Sequence, residues 1–112
     1  MTTKIVINNC YGGFSLSKKA IKHMADAGDE NAKEIVKKNI NNQQKNSYYL
    51  YVCSRDRVNP FLIKAVEDLK KEASGSHANL IIEEINSKKY RIVEYDGNEY
   101  IETPESIEWI NI

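Results

Sequence analysis

Asn8, Cys10, Tyr11, Gly12, Gly13, Phe14, Ser15 and Ser17 crowd into one short stretch between the apolar run Ile5-Val6-Ile7 and a lysine-rich segment. The glycine pair can take backbone angles closed to other residues. Ser17 is a good N-cap, and the free N–H groups at a helix start attract anions. The chemistry on offer is a non-covalent hold on a phosphate. Arg55 and Arg57 could add guanidinium groups to it, and Tyr11 or Phe14 could stack on a base. These ten residues form the candidate ligand-binding set. The competing reading is a tight turn that lets Tyr11 and Phe14 pack. It draws weight from two missing patterns, because no Lys-Ser or Lys-Thr follows the second glycine and no G-x-G-x-x-G occurs.

Covalent chemistry has thinner support. Cys10, next to a helix start, could be an activated thiolate. The pattern of a cysteine, five residues and an arginine fails at Leu16, and His23 lies too far along the helix to reach back. A small buried cysteine is the plainer reading. Glu83 and Glu84 are adjacent on a strand, so they point to opposite faces and make no acid–base pair. The two cysteines and two histidines lack zinc spacing. We therefore assign no catalytic residue, metal or cofactor, and the reading leans away from an enzyme.

The elements that position these residues follow from periodicity. A strand over Ile5–Ile7 leads through the glycine turn into a helix with Leu16, Ala20, Ile21 and Met24 on one face, ended by Gly28. A second helix starts near Asp29, with acidic residues first and lysines last, as the helix dipole favours. The segment 40–47 reads as loop. Residues 48–54 read as a strand, with Tyr48, Leu50 and Val52 on one side and Tyr49, Tyr51 and Cys53 on the other. Asn59-Pro60 opens a third helix that runs to Gly75. Residues 78–85 and 90–95 are strands. Asp96-Gly97 turns the second of these into 98–103, Pro104 stops that strand, and 106–112 adds a short one. The order predicts a single domain over 1–112, α+β or irregular α/β, with a mixed sheet of about five strands and two to three helices packed on it. Parallel crossovers in the first half would put Arg55 and Arg57 on the sheet edge that carries the glycine turn.

Composition narrows the partners. Sixteen basic residues balance sixteen acidic ones, which argues against general nucleic-acid binding. No apolar run is long enough to cross a membrane, and no signal peptide is visible, so a reducing compartment with free thiols is expected.

The block KIVINNCYGGFSLS, the helix entry Arg57-Val58-Asn59-Pro60, the helix FLIKAVEDLKKEASG and the hairpin Glu94-Tyr95-Asp96-Gly97-Asn98-Glu99 resemble a family of short bacteriophage and prophage proteins. Three positions depart from its pattern: Asn59 stands where Asp is expected, Lys70 where Gly is frequent, and Asn86 where a Pro often follows the strand. The resemblance implies a viral or prophage origin and the cytoplasm of an infected or lysogenic host. It favours a protein that sequesters a nucleotide-like signal of host defence at the glycine turn. The alternatives are a protein–protein inhibitor of a host factor, recognised by an exposed aromatic patch that includes Tyr48, Tyr51 or Trp109, and a thiol enzyme using Cys10. A homo-oligomer is also expected, because a small chain rich in tyrosine ends on Ile107, Trp109, Ile110 and Ile112. The alternative for that tail is folding back over its own helices.

Overall fold

The computed structural model describes residues 2–41, 48–106 and 110. Strand β1 (Thr3–Asn8) carries the apolar run Ile5-Val6-Ile7 and is buried along Ile5, Val6, Ile7 and Asn8. Burial on both faces explains why the run does not alternate with polar residues. After the glycine turn, helix α1 (Lys18–Ala27) starts on Ser17, whose Oγ accepts from the Ala20 N–H at 3.1 Å. It ends on Gly28 and packs Ala20, Ile21, Met24 and Ala25 inward. Helix α2 (Glu30–Asn41) is capped by Asp29, whose Oδ1 accepts from the Ala32 N–H at 2.9 Å. Helix α3 (Pro60–Leu69) uses Asn59 as cap and Pro60 in its first turn, and its inward face is Leu62, Ala65 and Val66. These helices meet Val6, Leu16, Val52, Ala73 and Leu80 in one core.

The architecture is α+β, but the strands form two small sheets rather than one mixed sheet of five. β1 pairs antiparallel with β2 (Leu80–Ile85), and β3 (Arg91–Tyr95) pairs antiparallel with β4 (Asn98–Glu102). The expected strand over 48–54 is absent. Residues 48–53 belong to no ladder, and a 3-10 turn follows over Ser54–Val58. Their alternation survives all the same, with Val52 buried and Tyr49 and Tyr51 exposed. Aromatic and β-branched composition reports a half-buried extended segment; pairing needs a free neighbouring edge as well. The parallel crossover expected in the first half is likewise absent, since β1 takes an antiparallel partner. Helix α3 stops earlier than expected. Lys70 takes φ +54°, and a 3-10 turn over Lys70–Ala73 replaces the last helical turn. The Asp96-Gly97 hairpin forms as expected, with φ of +51° and +87°. The proposed terminal strand falls largely outside the described residues, as does most of the proposed loop over 40–47.

A hairpin seated on the glycine turn

The two sheets are joined by side chains. On β1, Ile5 and Ile7 face β2 with their backbone groups, and Val6 and Asn8 present theirs to the opposite edge. There the Asn8 N–H donates to Glu99 Oε1 at 2.8 Å, and the Val6 carbonyl accepts from an Arg57 guanidinium nitrogen at 3.4 Å. Arg57 and Glu99 bind each other in a fork, at 2.6 and 2.9 Å, and both are buried. Arg57 Nε also donates to the Val52 carbonyl at 3.1 Å. The ring of Phe14 lies over the guanidinium with its centroid 3.7 Å from Cζ. One ion pair thus supplies a donor and an acceptor to a strand edge that would otherwise need another strand.

The hairpin tip completes the joint. The Asn8 amide donates to the Gly97 carbonyl at 2.7 Å and to the Cys10 carbonyl at 3.0 Å, while its Oδ1 accepts from the Asn79 N–H at 2.8 Å. Gly97 sits against the backbone nitrogens of Gly12 and Gly13, so a β-carbon there would overlap them. Gly12 is closed from another side by the His77 carbonyl, and Gly75 by Ser15.

Six of the ten candidate residues come together around this joint: Asn8, Cys10, Gly12, Gly13, Phe14 and Arg57. The Asn8 N–H and the Arg57 charge are turned toward the hairpin, whereas the Gly12 N–H donates to the Cys10 carbonyl at 3.2 Å. Ser15 packs under Gly75, whose N–H donates to the Ser15 carbonyl at 3.0 Å. Ser17 is spent on the cap and donates to the Glu72 carbonyl at 2.5 Å, so the start of α1 rests on the 70–74 segment. Tyr11 is 69% exposed. Arg55 is not brought to the turn; it lines a groove at the base of the hairpin with Tyr90 and Arg91.

Cys10 Sγ donates to the His77 carbonyl at 3.2 Å and faces Asn8 Oδ1 at 3.5 Å, so its partners are neutral acceptors rather than a base. Cys53 donates to Asp56 at 3.3 Å, and both thiols are free. Among the described residues, no group of three His, Cys, Asp or Glu side chains is placed to hold a metal. Nor is any described helix long and apolar enough to cross a membrane.

Glu99 is the residue that sequence reasoning missed. The register places it on the hairpin face that carries Ile92 and Ile101. Glu94 lies directly opposite Glu99 on that face, so the alternation of the hairpin does not mark which carboxylate is buried, and the sequence carries no local signal for it. The opposite face carries Arg91, Val93, Tyr95, Asn98, Tyr100 and Glu102. Tyr95 and Tyr100 are exposed there, and Arg91 grips Glu102 at 2.6 Å. Comparison of the chain with protein-family models, with curated proteins and with solved structures finds no match.

Proposed function

We propose that the chain is a non-enzymatic binding protein that docks on a protein partner through the open face of the β3–β4 hairpin. The observation that supports this reading is the pair Tyr95 and Tyr100, 72% and 49% exposed on one face of a hairpin whose other face is pinned to the body. Interface centres are enriched in tyrosine and depleted of unpaired charge. Val93 lies opposite Tyr100, and the Arg91–Glu102 pair neutralises itself at the hairpin base. Such a face suits an apolar, weakly charged protein surface better than a polyanion. A ligand at the glycine turn would have to lift the hairpin and displace Glu99 from Arg57. In the phage or prophage setting that the resemblance implies, the partner is a host protein.

The test is a Tyr95→Ala/Tyr100→Ala double variant, checked for an unchanged fold. Affinity capture by the wild type should recover one stoichiometric partner that the double variant loses. Retention of that partner by the variant would overturn the reading. A dimer mass by light scattering that reverts to monomer in the variant would instead assign the face to a second copy of this chain. Cys10→Ser should leave capture unchanged, since the thiol has no part in this surface. A second reading, a nucleotide-like ligand, keeps Arg55 as its anchor and draws on the groove at the hairpin base.

A further inference from the structure

We infer that the groove between the Ser54–Val58 turn and the base of β3 is a binding site for a small phosphate monoester with an aromatic body. Arg57 and Arg55 lie two residues apart on this 3-10 turn, and they go separate ways. Arg57 is buried against Glu99, while Arg55 is exposed and makes no ion pair among the described residues. The Tyr90 hydroxyl donates to the Ser54 carbonyl at 2.7 Å and ties the hairpin base to the turn. That bond fixes the ring as a wall of the groove, and burial raises the phenol above its ordinary pKa, keeping it a neutral donor.

The resulting groove has a volume of about 350 Å³ and is lined by Ser54, Arg55, Tyr90, Arg91 and Ile92. This is within the size range of small-molecule sites, roughly 300–1,000 Å³. The lining holds two guanidinium groups, a half-buried tyrosine ring and one aliphatic side chain, and no carboxylate. The nearest acid on the Arg91 side, Glu102, takes Nε and one terminal nitrogen of that guanidinium. Arg91 carries further N–H donors beyond those two contacts. A planar fork of donors matches phosphate oxygens, and the Tyr90 ring offers a stacking wall. A second hollow of about 230 Å³ shares Tyr90 and Arg91, but Glu102 lines it as well as Lys89, so the anion subsite is assigned to the Arg55 side. The site meets the tyrosine face at Arg91, which borders both, while Arg55, Tyr90 and Ile92 lie off that face.

The test is a titration of the isotope-labelled full chain with AMP, adenosine and inorganic phosphate, followed by amide resonances. AMP up to about 10 mM, enough to saturate a site with a dissociation constant of about 1 mM, should shift Ser54, Arg55 and Tyr90 to Ile92 together. Inorganic phosphate should bind the same residues more weakly, and adenosine should not shift them. Arg55→Ala, at an exposed position, should fold normally and weaken AMP binding about tenfold, equivalent to about 1.4 kcal/mol. The inference is overturned if AMP leaves these resonances unmoved or binds Arg55→Ala as well as wild type. Equal affinity for AMP and inorganic phosphate would overturn the aromatic part of it. Loss of AMP binding in Arg55→Ala with intact partner capture would separate this site from the tyrosine face.

Discussion

Replacing Glu99 with alanine should be among the most damaging single changes available to this chain. The carboxylate accepts from both ends of the Arg57 fork and from the Asn8 N–H, and all three groups are buried. Removing one partner of a buried pair costs about 3–5 kcal/mol, because the other charge is left unpaired. The Asn8 N–H is stranded by the same change, and an orphaned buried donor costs about 1–3 kcal/mol. The two costs overlap, so we take about 3 kcal/mol as the floor, against a typical domain stability of roughly 5–15 kcal/mol. The assay is urea unfolding followed by tyrosine and tryptophan fluorescence. With a slope of about 1.5 kcal/mol/M, the midpoint should fall by about 2 M. Arg57→Met in the same assay should cost a similar amount. The double variant Arg57→Met/Glu99→Leu should cost clearly less than the sum of the singles, since it leaves no unpaired charge. A loss below about 1 kcal/mol for Glu99→Ala, or single-variant costs that add to within about 0.5 kcal/mol, would refute the reasoning.

Gly97→Ala should destabilise far more than Gly13→Ala in the same unfolding assay. Both glycines have positive φ, but only at Gly97 does the new β-carbon meet backbone, whereas at Gly13 nothing lies within 4 Å. Equal costs would mean that the hairpin tip does not rest on the glycine turn. Lys70→Gly should stabilise by about 1–2 kcal/mol, because Lys70 takes φ +54° and ψ −121°, where a side chain is strained; a loss of stability would contradict the backbone reading. The carboxyls of Asp68, held down chiefly by its bond to His23, and of Glu72, held down by its bond to Lys19, lie below their ordinary values. A lowered folded-state pKa gives stability that is present above the unfolded value and lost as pH falls through the folded one. Asp68→Asn and Glu72→Gln should therefore flatten the loss of stability below about pH 4 and leave its course above that range unchanged. An unchanged acid limb in both variants would remove these contacts from the account.

The three helices were legible because their signals are local. Ser17, Asn59-Pro60 and Gly28 mark ends whatever the helix packs against. The Asp96-Gly97 hairpin was legible for the same reason. The sheet was not, because pairing depends on which edges are open. Tyr48 to Cys53 has the composition of a strand, yet the β1 edge is closed by Arg57 and Glu99. Arg57 was visible as a candidate, but its partner was not, since forty-odd residues separate the two and nothing local links them. Of the glycine pair, only Gly13 takes the left-handed backbone that was expected of both; Gly12 is needed for its close approach to His77. What fills the space above the pair, Gly97, could come only from the tertiary arrangement. The break after Leu69 was not legible, because Lys70 is a good helix former that here takes φ +54°.

The central claim is that a side-chain ion pair, rather than a neighbouring strand or a bound ligand, closes the β1 edge beside the glycine turn. Amide hydrogen exchange at Asn8 tests it most directly, because that N–H has Glu99 Oε1 as its acceptor at 2.8 Å. The Asn8 amide should be protected in the wild type at a level close to that of Ile21 in α1, whose N–H donates to the Ser17 carbonyl, or of Val66 in the interior of α3. In Glu99→Ala, under conditions where α1 and α3 keep their protection, it should exchange freely. An Asn8 amide that exchanges freely in the wild type, or that stays protected without Glu99, would contradict the account.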